Sequence, residues 1–134
     1  ATLPWIVALN PDGRAVWTRV FGSKNIHPES ALARSGDAVY FAGVASSEVD
    51  FGAGPVQPSG PTLFVARMGR DGKPAWVRQG NNALTVKAQA VAVGPQGHVF
   101  VSGAGSGPID FGGGPLGGAI TELAFVAAFD GSGA

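Results

Sequence analysis

Two aspartates, Asp50 and Asp110, sit in near-copies of one segment, Val49-Asp50-Phe51-Gly52 and Ile109-Asp110-Phe111-Gly112, 60 positions apart. A carboxylate in a glycine-rich loop is a candidate ligand for a hard cation, which takes oxygen donors. A calcium loop needs several acidic or amide side chains at close spacing, and each of these segments offers one. An Asp followed by glycines also fixes a turn by accepting bonds from nearby backbone N–H groups. That is the expected role, so neither a metal nor a cofactor is assigned. The kinase meaning of Asp-Phe-Gly falls away, because no partner Lys or His-Arg-Asp accompanies it.

The remaining candidates for chemistry also read as structure. His27-Pro28-Glu29 matches the His-x-Glu start of zinc deaminases, whose other ligands are cysteines; the chain has no Cys. His98 begins a strand, and two separated histidines do not make a metal site. The serines of the run 102–107 lack both a Gly-x-Ser-x-Gly elbow and a terminal Lys-Ser/Thr, so that run is read as a loop. Arg14, Arg19, Lys73 and Arg78 flank two Asp-Gly pairs and read as charges that discourage edge-to-edge strand pairing. No catalytic residue emerges, and the chain is read as a non-enzyme.

Composition narrows the partners. Charged residues are 13% of 134, and nine basic side chains cancel nine acidic ones. Nucleic acid and anionic membranes need a concentrated positive field, which this balance does not supply. No apolar run approaches the roughly 20 residues of a membrane-spanning helix, so no membrane insertion is expected. So few charges make a poorly soluble surface, one expected to be covered by something else. The chain starts Ala-Thr-Leu-Pro and its one methionine is Met68; a removed leader or a longer parent chain is the expectation.

These residues recur because the chain repeats. The run 5–17 resembles 63–76 with one residue inserted before the turn, and Trp17 matches Trp76 at an offset of 59. The run 39–47 matches 99–107, and a third start appears at 124–133, with Gly133 matching Gly72 at an offset of 61. The expected organisation is one repeat over 1–62, a second over 63–122 and the start of a third over 123–134.

Each unit reads as about four strands in two hairpins. Asp12-Gly13 and Asp71-Gly72 lie between apolar runs, where glycine supplies positive φ without steric cost. The run 94–97 and Ser35-Gly36-Asp37 mark the second hairpins, and Ser30–Arg34 has room for one helical turn at most. Val99, Phe100 and Val101, like Val39, Tyr40 and Phe41, are apolar on both sides of a strand. A sheet covered on both faces has that pattern. Four-stranded units stacked face to face make a β-propeller, with Trp17 and Trp76 expected to fill the space between blades.

The order Phe-Val-Ala, Asp-Gly, Trp, paired apolar strands, then Val/Ile-Asp-Phe-Gly-x-Gly-Pro resembles the SBBP (seven-bladed beta-propeller) repeat of bacterial surface and secreted proteins. The likeness runs over residues 5–133. It implies a propeller and an exported protein at the cell surface or outside the cell, and it brings no catalytic residues. Two units cannot close a ring, so further copies or a longer chain must complete it.

The expected function is therefore a scaffold for protein–protein interaction, as a homo-oligomer or a segment of a larger assembly. A carbohydrate-binding propeller and a subunit of a surface filament are the alternatives. Recognition belongs in the loops at strand ends, where the units differ most: 23–30 against 81–89, and 56–62 against 116–122. Asn25, His27, Asn81 and Asn82 are the loop residues that stand out. Trp5 is the tryptophan without a repeated counterpart and the candidate for an exposed contact.

Overall fold

The computed structural model describes residues 5–21, 26–81, 83–116 and 121–134. The described residues form thirteen strands and one short 3₁₀ turn, Pro95–Gly97. All pairing is antiparallel.

The first hairpin joins β1 (Trp5–Leu9) to β2 (Ala15–Val20). A four-stranded sheet follows, in the order β3 (Ile26–Ser35), β4 (Ala38–Ala45), β7 (Thr62–Met68), β8 (Pro74–Gly80). Between β4 and β7 the chain makes a small hairpin of β5 (Val49–Asp50) and β6 (Pro55–Val56). The last sheet has three strands: β10 (Val99–Ser106) lies between β9 (Thr85–Val93) and β13 (Leu123–Phe129). A second small hairpin, β11 (Ile109–Asp110) with β12 (Pro115–Leu116), leaves it as β5–β6 leaves the central sheet.

The strands follow from the sequence and their assembly departs from it in two ways. A unit carries three hairpins, because the Asp-Phe-Gly segment read as a loop closes on itself as β5–β6. The hairpins of one unit also do not share a sheet. β4 pairs with β7, Val39 opposite Met68 and Ala45 opposite Thr62. The central sheet thus takes its inner hairpin from one repeat and its outer hairpin from the next, across the 62/63 boundary. Ser30–Arg34, where the sequence leaves room for one helical turn at most, is strand, in register with Val39–Gly43. Nor is an inserted residue needed to align the first strands. Trp5 pairs with Val20 and Ala8 with Trp17; Phe64 pairs with Gln79 and Arg67 with Trp76. Trp5 therefore corresponds to Phe64, not Leu63.

The two middle strands of the central sheet, β4 and β7, are buried on both faces, which accounts for their continuous apolar runs. Tyr40, Ala42, Val44, Leu63 and Val65 pack with Val86, Ala88, Val99, Val101 and Phe129 of the last sheet. On the other face Phe41, Ala45, Phe64, Ala66 and Met68 pack with Ile6 and Phe21 of the first hairpin segment. Alternation along β4 and β7 sends neighbouring residues to opposite cores, as the two-residue strand period requires. Burying a Phe or Leu side chain contributes about 1.5–3 kcal/mol, so both cores hold the three sheets in one stack.

Candidate functional site

The Asp-Phe-Gly hairpins are built from the aspartate outward. Asp50 Oδ1 accepts hydrogen bonds from the N–H of Gly52 (2.7 Å) and Gly54 (3.1 Å). Asp110 Oδ1 accepts from Gly112 (2.7 Å) and Gly114 (3.2 Å). Those four glycines have φ between 103° and 108°, the region that favours glycine. The carboxylates thus hold turns, as the sequence suggests. Among the described residues no three His, Asp or Glu side chains gather into a metal-sized group. The turns aim the following phenylalanine inward. Phe51 lies between Phe21 and Phe64, with both ring centroids at 5.2 Å. Phe111 packs against Phe125 at 5.7 Å and covers Gly80, whose missing side chain makes room for the ring.

Three equivalent turns close the first strand of each unit, at 10–14, 69–73 and 130–134. In each, the first N–H donates to the carbonyl of the fifth residue, and the fourth N–H donates to the first carbonyl. The fourth residue is a left-handed glycine, at φ 79° in Gly13, 72° in Gly72 and 83° in Gly133.

Two of these turns are gripped by the preceding unit. The Trp17 indole N–H donates to the Arg70 carbonyl at 2.7 Å. Two residues on, the Arg19 guanidinium donates to the carbonyls of Gly72 (2.8 Å) and Asp71 (3.2 Å). Trp76 repeats this on Gly131 (3.1 Å), and Arg78 repeats it on Gly133 and Ser132. A Trp-x-Arg strand therefore clasps the Asp-Gly or Ser-Gly turn of the next sheet. Arg19 and Arg78 lie on the edge strands β2 and β8, where the sequence reads them as charges that discourage pairing, and they also hold the turn of the neighbouring sheet. The signal was present in the sequence: Trp-x-Arg and the glycine turn recur with nearly the same offset.

The other candidates, where described, lie in or beside different elements. Asn25 and Asn82 lie outside the described residues. His27 is placed in β3, and its side chain is not described. Asn81 is exposed, and its backbone exchanges two hydrogen bonds with Asp110, at 2.9 and 3.0 Å. His98 Nδ1 lies 3.0 Å from the Pro95 carbonyl oxygen. Trp5 is 63% exposed.

Apolar surface is left at both ends of the stack. The first hairpin exposes Trp5, Leu9, Val16 and Val20, and the last sheet exposes Phe100 and Val126. Their counterparts in the central sheet are buried: Phe64 and Met68 for Trp5 and Leu9, Tyr40 and Val65 for Phe100 and Val126. No family model, curated protein or solved structure matches the chain.

Proposed function

We propose that the chain is part of a β-propeller that serves as a non-catalytic scaffold for protein–protein interaction, exported to the cell surface or beyond. One observation carries this reading: the middle strands of the central sheet are covered on both faces by neighbouring sheets, and the same Trp-x-Arg clasp locks the sheet to each neighbour. Sheets stacked in that way with short links are the building plan of a propeller. The apolar ends call for more units, supplied by a longer chain or by further copies.

The non-catalytic part of the reading rests on where the reactive side chains are spent. Asp50 and Asp110 hold turns, and Arg19 and Arg78 donate to backbone carbonyls. Export and scaffolding rest on the SBBP-like motif order, not on any single residue. The exposed apolar ends also favour a second reading, a subunit of a surface filament, in which copies stack without closing. Electron microscopy of the native protein separates them. Rings with radial sheets are expected; open polymers favour the filament, and compact monomers with no stacked neighbours overturn both. A glycan array that lights up reproducibly would move the function to carbohydrate binding.

A further inference from the structure

The three turns are alike in backbone and differ in occupancy. A Cβ built on Gly72 would lie 2.7 Å from the Trp17 ring, and one on Gly133 would lie 2.7 Å from the Trp76 ring. A Cβ on Gly13 meets nothing within 4 Å. The carbonyls that match the clasped acceptors are those of Pro11, Asp12 and Gly13, and no described hydrogen bond reaches them. The turn is nonetheless preformed. Asn10 Oδ1 accepts from the N–H of Asp12 (3.0 Å) and Arg14 (2.8 Å). Beside it lie Trp5 and Leu9, 63% and 58% exposed, whose counterparts Phe64 and Met68 are 1% and 0% exposed.

We infer that the Asn10–Arg14 turn and the adjoining outer face of β1–β2 are a docking site for one further sheet unit of the same repeat, bound through a strand carrying Trp-x-Arg. This rests on the stacked-unit reading and adds to it the contact that continues the stack. The occupant is indicated by the chain itself, which fills the same turn with Trp-x-Arg on both other occasions. The indole would lie on Gly13 and donate to the Pro11 carbonyl, and the guanidinium would donate to Asp12 and Gly13. An additional copy of this chain is not the occupant, because Trp17-x-Arg19 and Trp76-x-Arg78 are already engaged within it.

The test is NMR of the isotope-labelled chain titrated with the peptide of residues 74–80, which carries a free Trp-x-Arg. Saturable shifts are expected at the amides of Asp12, Gly13 and Arg14, with none at Asp71 and Gly72. A peptide with Trp76→Ala and Arg78→Ala should bind at least about tenfold more weakly, given the hydrogen bonds removed. In the chain, G13V and, as a milder change, L9K should each remove the response. The absence of shifts at 12–14, or equal shifts with both peptides, overturns the inference. So does a concentration-dependent shift at 12–14 without peptide, which would make a second copy the occupant. An NOE between the Trp17 indole and Gly72 serves as the control. If it is missing, the stacked-unit reading fails; if it is present without peptide binding, only the docking site fails.

Discussion

Trp17 lies flat on Gly72 of the next sheet, so close that a Cβ there would stand 2.7 Å from its ring. Gly72 and Gly13 share a left-handed backbone, at φ 72° and 79°, yet Gly13 has open space around it. Alanine at either position carries the left-handed cost of about 1–2 kcal/mol. At Gly72 it also forces the indole aside, and overpacking adds about 1–3 kcal/mol. Urea unfolding should therefore rank G72A clearly below G13A in stability. Equal losses would mean that Trp17 does not rest on the turn.

Arg19 separates two accounts of the repeated basic residues. As an edge charge it would be replaced by lysine without loss. As a clasp its planar fork reaches two carbonyls at once, at 2.8 and 3.2 Å, and a lysine ammonium does not reproduce that geometry. R19K is expected to cost about 1–2 kcal/mol, and R78K should behave alike. Unchanged melting of R19K would restore the edge-charge account.

Much of the local structure was legible in the sequence, and the assembly was not. Asp12-Gly13, Asp71-Gly72, Ser35-Gly36-Asp37 and the run 94–97 marked real turns, because Gly13, Gly36, Gly72 and Gly97 take the positive φ that favours glycine. The pairing of β4 with β7 was hidden. Strands apolar on both faces carry the same pattern whichever neighbour they take, so periodicity does not choose between partners. β5 and β6 are two residues each, too short for any period to register. The clasp left a recurring Trp-x-Arg as its trace, but not the partner it grips. Trp17 and Arg19 bond to backbone carbonyls 52–53 residues away, and a carbonyl acceptor leaves no residue type to read. Asn25 and Asn82 lie outside the described residues, so the structure neither joins nor separates them.

The turn role of Asp50 can be set against cation binding directly. Its Oδ1 receives two backbone N–H groups. D50N keeps a side-chain oxygen at that position and should melt within a degree or two of the parent, whereas D50A loses both bonds and should cost about 1–2 kcal/mol. EDTA should leave the parent's melting temperature unchanged. A drop on chelation, reversed by added calcium, would reinstate the metal reading for Asp50 and for its twin Asp110.

Asp130 predicts an acid-side dependence at the last turn. The Ser132 hydroxyl donates to its Oδ1 at 2.6 Å, and the N–H groups of Ala134 and Ser132 donate at 3.0 and 2.8 Å. The hydroxyl first, then these backbone donors, favour the ionised carboxylate and hold its pKa below the usual 3.8. A group whose folded pKa lies below its unfolded value stabilises the fold above the unfolded value, and that contribution disappears as pH falls through the folded one. The loss therefore belongs below about pH 4 and is absent near neutrality. Carboxyl shifts followed by NMR should place the Asp130 midpoint below 3.8 in the parent and move it upward in S132A. A midpoint at or above the ordinary value in the parent would mean that the turn does not hold the carboxylate as described.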